Sequence, residues 1–311
     1  MICRAVAVLC FVTSGAMAQS VESVSDAVAD WLKANSANGV VAIQPPDAEM
    51  AVIALGIPAD TQVELASLSK SITAICAHSL IQDGWLNYGA PVSQHVPGFE
   101  GATVGDLITH QSGIVEDATQ QFMVAWLGDT EHRARDVVSQ MRTRKAPIGA
   151  HGDYTYSNDN YALLSLVIED VADAPYTETC IARALDPAGA EAIASPQTGA
   201  FLSWGGWVMT VADYLKFHAY WYDTSSAALP EYSADLGGGV HYGLGMYGRP
   251  MRGGANHWHF GLLCFEDQLN AGTYAVGYYN DWHVVVAYDA CVDWAAMSAL
   301  DATITDAIFS N

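Results

Sequence analysis

The chain has 311 residues, enough for one large or two small domains, and with 51% hydrophobic and 15% charged residues it can bury a sizeable core. Thirty-four acidic against twelve basic side chains leave a formal charge of −22, which argues against nucleic acid as a partner, since that footprint needs a basic patch, and against anionic membrane surfaces. In chain order, residues 1–18 read as an export signal: Arg4 is the positive end, 5–12 an apolar run too short for a permanent anchor, and Ala16-Met17-Ala18 a small-residue cleavage site. The mature chain is therefore expected to begin at Gln19 and to be periplasmic or secreted, with no stable membrane anchor.

Residues 23–36 carry Val24, Ala27, Val28, Trp31 and Leu32 at helical spacing, which predicts an amphipathic helix. The apolar runs 39–43 and 50–55, divided by Pro45-Pro46-Asp47, predict a hairpin. From about 71 to 225 the pattern is mostly helical, with Asp106, Asp159 and Thr210 placed as capping residues. Beyond Gly237-Gly238-Gly239 the β-rich runs 258–265, 272–279 and 283–288 predict an antiparallel meander, and 293–309 a closing helix. This order predicts an α+β fold. An antiparallel sheet flanked by the terminal helices forms one lobe (19–70 and 235–311), a mainly helical lobe is inserted at 71–234, and the site lies in the cleft between them. Four cysteines remain after cleavage, Cys76, Cys180, Cys264 and Cys291, with no Cys-x-x-Cys spacing. Export permits disulfides among them, the sequence does not pair them, and Cys76 reads as a small buried hydrophobe.

Ser67 and Lys70 stand three residues apart at the head of the apolar stretch 71–80, so on a helix they share a face. A serine hydroxyl needs a base within hydrogen-bond reach, and a lysine serves when burial or a neighbouring cation lowers its pKa. Isolated, the spacing is usually a surface serine beside a solvated lysine. Two further boxes change that balance. Tyr156-Ser157-Asn158 lies on a polar turn before a helix, where a phenol can shuttle a proton and an amide can orient a carbonyl or the lysine. Tyr278-Tyr279-Asn280 matches the same pattern but sits at a hairpin turn without a nucleophile nearby. His257-Trp258-His259-Phe260-Gly261-Leu262 opens the meander, where glycine lets a substrate approach the backbone and the Leu262 amide could donate to an oxyanion.

These boxes, in this order, resemble the serine β-lactamase and penicillin-binding-protein superfamily, closest to the branch of class C β-lactamases, D-alanyl-D-alanine carboxypeptidases, D-aminopeptidases and related esterases. Val63 to Ala74 looks like the nucleophile helix, and Leu107-Ile108-Thr109-His110-Gln111-Ser112-Gly113-Ile114 resembles the family's Leu-Leu-Thr-His-x-Ser-Gly-Leu segment. Tyr156-Ser157-Asn158 followed by Tyr161-Ala162-Leu163-Leu164 is similar to its Tyr-Ser-Asn box, and Tyr242-Gly243-Leu244-Gly245-Met246 to a segment before the third box. The likeness covers roughly residues 60 to 265. It implies a β-lactamase/transpeptidase-like fold without cofactor, Ser67 as acylated nucleophile, and Lys70 and Tyr156 as its proton handlers. It also implies Asn158, His259 and Gly261 in the substrate pocket and an oxyanion hole made by the amides of Ser67 and Leu262.

Phe260 stands where many relatives carry a hydroxyl that helps bind a substrate carboxylate. A phenyl ring cannot make that hydrogen bond, which favours an ester, amide or D-amino-acid peptide without a carboxylate near the scissile bond. Protonation of His259 in mild acid would be the compensation open to a carboxylated substrate. Two rivals stay open: a true β-lactamase or D-alanyl-D-alanine carboxypeptidase, and a penicillin-sensing or ligand-binding module that acylates without turnover. His110 reads as a structural hydrogen-bonding residue. His257 and His259 lack a third ligand at partner spacing, so no metal is expected. Trp204, Trp207 and Trp258 suit either an apolar pocket or the core. No Gly-x-Ser-x-Gly elbow occurs, which counts against an α/β-hydrolase. The oligomeric state is not legible.

Overall fold

A computed structural model describes residues 13–144 and 151–310, so residues 1–12 of the expected export signal lie outside the described residues. Helix α1 (Thr13–Ala34) buries Val24, Val28, Trp31 and Leu32, the stripe its periodicity predicts. The hairpin follows as β1 (Gly39–Gln44) and β2 (Ala51–Leu55), antiparallel with Val41 opposite Ile53. Strand β3 (Val63–Glu64) leads through a tight turn into α2 (Ser69–Gln82), buried from Ser69 to Ala77.

Helices α3 (Val104–Ile108) and α4 (Ala134–Arg144) pack against α5 (Asn158–Ala172), and α5 and α6 (Tyr176–Cys180) pack against α2. Caps fall slightly upstream of the sequence expectation. Thr103 and Ser157 cap α3 and α5, and Asp106 closes a capping box from the third helical position. Next come β4 (Ile193–Ala194), α7 (Leu202–Gly205), β5 (Trp207–Met209) and α8 (Val211–Trp221), the last capped by Thr210 as expected. Strands β3, β5 and β4 form a small sheet in that order.

Strands β6 (Ala234–Gly237), β7 (Val240–Gly243) and β8 (Met246–Met251) precede the meander of β9 (Gly254–Phe265), β10 (Leu269–Gly277) and β11 (His283–Tyr288), and α9 (Trp294–Phe309) closes the chain, capped by Asp293. The main sheet is antiparallel with eight strands in the order β2-β1-β11-β10-β9-β8-β7-β6. The sequence pattern misses β6 to β8 because glycines at 237–239, 243, 245 and 248 interrupt their alternation.

Both faces of this sheet are covered, and the period-2 alternation separates two cores. Val41, Ile43, Tyr274, Val284 and Val286 face α1 and α9, where the Trp31 Nε1 donates to the Ala296 carbonyl at 2.8 Å. Val40, Ala42, Ala275, Val285 and Ala287 face the side of α2 and α8. Helix α8, read from sequence as part of the helical insertion, packs on the sheet, and its His218 Nδ1 lies 3.2 Å from the His283 Nδ1.

Two disulfides supply the pairing that the sequence left open: Cys76–Cys180 and Cys264–Cys291. Cys76 is buried as expected, but as half of a bond joining α2 to α6 rather than as a free thiol. That bond closes a loop of 104 residues, for which the chain-entropy treatment gives roughly 4–5 kcal/mol of stabilisation through the unfolded state. Replacing Cys76 and Cys180 together by alanine should therefore lower unfolding stability by roughly 3–5 kcal/mol in urea titrations. An unchanged midpoint would show that the bond adds nothing.

Candidate active site

Ser67 lies in the tight turn Ala66–Leu68 between β3 and α2. Ala66 is held at φ +48°, a left-handed conformation that costs a non-glycine residue roughly 1–2 kcal/mol. The sheet holds the turn there. The Leu65 amide donates to the Trp207 carbonyl at 2.9 Å, and the Thr273 hydroxyl donates to the Leu65 carbonyl at 2.8 Å. Two glycines let the backbones close on it. A Cβ on Gly261 would stand 2.6 Å from the Leu65 carbonyl oxygen, and one on Gly245 (φ +79°) 2.7 Å from the Ser71 Cα. What Gly261 admits is thus the turn that holds Ser67. Ser69 and Ser71 are structural: the Ser69 hydroxyl accepts from the Trp207 amide at 3.2 Å, and the Ser71 hydroxyl donates to the Leu68 carbonyl at 2.6 Å.

Lys70 is fully buried one helical turn from Ser67. Its Nζ stands 3.2 Å from the Ser67 Oγ and donates to the Trp204 carbonyl at 2.8 Å. The rings of Tyr156 and Tyr161 lie 4.9 and 5.9 Å from it. Burial lowers its pKa to about 7, against a smaller opposing pull from Asp117, so no second cation is required. A carbonyl can only accept, so the neutral amine keeps an N–H on Trp204 and can turn its lone pair to the Ser67 hydroxyl.

Tyr156 precedes the Ser157 cap of α5 and is 36% exposed. Its ring is nonetheless enclosed by His110 at 4.4 Å and His259 at 6.1 Å. Burial pushes its phenol well above 10, and a hydrogen bond with Ser67 offsets this only in part. The phenol therefore stays protonated, suited to relay a proton and not to act as a phenolate base. His110, buried at φ +58°, accepts at Nδ1 from the Ser157 amide at 3.3 Å, and burial keeps it neutral, which makes it a structural support for that turn.

Two hollows flank Ser67, and Ser67, Tyr156 and Leu262 line both. The larger, about 460 Å³, also takes in Asp117, Asn158 and Trp204. Among the described residues lining it, Asp117 is the sole carboxylate, and Lys and Arg are absent. Asn158 lines this hollow while its Nδ2 donates to the Thr119 hydroxyl at 3.0 Å and its backbone amide to Asp117 at 3.2 Å, so it also fixes the Asp117 loop. The smaller hollow, about 260 Å³, is walled by Tyr247, His259, Phe260, Trp294 and Met297.

Strand β9 carries the third box. Beyond Trp258 it pairs only with β10 among the described residues, so residues 259–265 leave one edge without a strand neighbour. His259 is buried and points its Nδ1–H at the Phe260 carbonyl, 2.6 Å away. Burial and the nearby Lys70 lower its pKa to about 3. Burial thus works against the expected rescue of a carboxylate by a protonated His259 in mild acid. Phe260 points to the other face of the sheet, stacked on Tyr274 at 4.4 Å and edge-on to Trp294 at 5.5 Å. Of the three tryptophans, Trp204 borders the larger hollow, while Trp207 is core, its Nε1 donating to the Tyr176 hydroxyl at 3.2 Å. Trp258 lies on the α9 side of the sheet.

The sequence reading missed Asp117 and the Trp204 carbonyl. The first lies only four residues beyond the Ser112-Gly113 segment, its one signal, and the second is a backbone atom with no sequence signature. Among the described residues, no group of three or more His, Cys, Asp or Glu side chains could hold a metal ion.

Residues 24–288 match the family described as Beta-lactamase, and the chain belongs to that family. Protein flp of Staphylococcus aureus strain MW2 is 32% identical over 126 residues, which are 38% of this chain and 25% of that protein. Penicillin-binding protein 4* of Bacillus subtilis strain 168 is 31% identical over 130 residues, 40% of this chain and 29% of the relative. The match thus spans only about a quarter of the length of these curated relatives. D-amino acid amidase from Ochrobactrum anthropi SV3, solved with L-phenylalanine amide, has the same fold (TM-score 0.75, 16% identity, covering 94% of this chain and 99% of that one). These relatives place the chain in the serine β-lactamase and penicillin-binding-protein superfamily, as its motifs suggest.

A base of this kind acts only when neutral. The rate of Ser67 labelling by a fluorophosphonate should rise with pH through about 7 and level off above it. Lys70→Ala should slow labelling by about two orders of magnitude or more, and adding Tyr156→Phe should make it little worse. A flat pH profile or near-additive losses would contradict the assignment.

Proposed function

We propose that the protein is an exported serine hydrolase that cleaves an amide or ester through a Ser67 acyl-enzyme. The observation that carries this reading is the buried Lys70 amine, held between the Ser67 hydroxyl and the Trp204 carbonyl with a pKa of about 7. Neutral Lys70 takes the Ser67 proton as Oγ attacks the carbonyl, and the oxyanion is received by the amides of Ser67 and Leu262. The Tyr156 phenol gives its proton to the leaving group and recovers one from Lys70. Water then deacylates Ser67. Two disulfides support an oxidising compartment, hence the periplasm or the exterior.

The substrate reading follows from the walls. A neutral His259 and the Phe260 ring offer a carboxylate nothing beside the smaller hollow, whereas Asp117 in the larger one suits an ammonium on the acyl part. An amino-acid amide or ester satisfies both, in keeping with the D-amino acid amidase that shares the fold.

Intact mass after treatment with a fluorophosphonate should show one adduct on the native protein and none on Ser67→Ala; labelling that survives the substitution refutes the mechanism. Asp117→Asn should lower kcat/KM on an amino-acid amide roughly ten- to a hundred-fold, the scale of a hydrogen bond to a charged group, with far less effect on the N-acetylated substrate. A cephalosporin should be turned over less efficiently than the amino-acid amide. The reverse preference, or a stable penicilloyl adduct without turnover, would favour a β-lactamase or a penicillin sensor.

A further inference from the structure

The smaller hollow does not end at Phe260. That ring and Trp294 also wall a third hollow of about 490 Å³, on the far side of the pair, between the sheet and α9. Trp258, Tyr278 and Phe309 continue its aromatic lining, with Ser298 on the exposed side of α9. The two hollows thus share one aromatic pair as a common wall, of which Trp294 is 63% exposed at the first position of α9. An exposed tryptophan adds little to the core. Set edge-on against Phe260 at the mouth of the reaction site, it is a surface for flat apolar groups.

We propose that Phe260 and Trp294 form the waist of an extended leaving-group site, and that the enzyme takes amino-acid amides whose leaving amine carries an aromatic arm. This rests on the serine-hydrolase reading above. Asp117 places the ammonium of the acyl part in the hollow of about 460 Å³, so the departing group is directed to the opposite side of Ser67. There the lining is Tyr247, Leu262 and Met297 with a neutral His259, which suits an uncharged aromatic arm. The first ring fills the near hollow. A second ring in line with it lies across the exposed edge of the pair and reaches the far one.

The test compares the primary amide, the anilide and the 4-phenylanilide of one amino acid, the two anilines being close in leaving-group basicity. The native enzyme should prefer the 4-phenylanilide over the anilide. Trp294→Ala should lower kcat/KM on both aryl amides roughly tenfold or more relative to the primary amide, the scale of a lost apolar contact. Ser298→Trp, which fills the far hollow from an exposed position, should reduce the 4-phenylanilide alone to the level of the anilide. Equal losses on all three substrates, or no loss on the aryl amides, overturns the proposal. Fluorophosphonate labelling of Ser67 is measured alongside: its absence in the native protein sinks the hydrolase reading, whereas normal labelling with no aryl preference sinks only the leaving-group site.

Discussion

Lys70 has no exposed surface and, among the described residues, no carboxylate within ion-pair distance. Holding an amine near 7 instead of 10.5 corresponds to about 5 kcal/mol of discrimination against its ammonium form. Much of the architecture around it serves to keep water out and the amine in one place. The Trp204 carbonyl comes from α7, the Tyr156 and Tyr161 rings from the turn and helix beyond it, and the Ser67 hydroxyl from a turn clamped by Thr273, Gly261 and Gly245. A looser clamp would let water reach the amine and restore its ordinary basicity. The left-handed Ala66 is tolerable for the same reason, since the contacts that exclude solvent also fix that backbone.

Strand β9 does two jobs because its side chains alternate. Gly261 closes on the nucleophile turn and His259 faces Tyr242, while Phe260 turns to Tyr274 and α9. One face thus closes on the Ser67 turn and the other shapes a wall. A substitution at 260 acts on packing against α9 as well as on whatever lies beside Ser67.

Much of this was legible before any coordinates. The hairpin at 39–55, the meander and both terminal helices follow from periodicity, and Ser67, Lys70 and Tyr156 do converge. Strands β6 to β8 were not legible, because glycine-broken runs owe their β-structure to neighbours in the sheet rather than to their own pattern. Nor were the disulfide partners, which are set by how distant helices and strands pack, or the role of a carbonyl at Trp204. The direction of Phe260 was readable and not read: once His259 and Gly261 face one way, strand geometry sends residue 260 the other.

The sheet order carries a consequence for biogenesis. Strand β1 has β11 as its inner neighbour, with Gly39 opposite Tyr288, so the first and last strands complete one another. The nucleophile turn at 65–67 likewise waits for Gly261 and Thr273. A ribosome must therefore release nearly the whole chain before the turn that holds Ser67 is assembled, and contacts this distant in sequence close slowly. Ser67 and Lys70 thus stay unenclosed through most of synthesis, and the turn between them and the sheet closes only once β9 and β10 have been made.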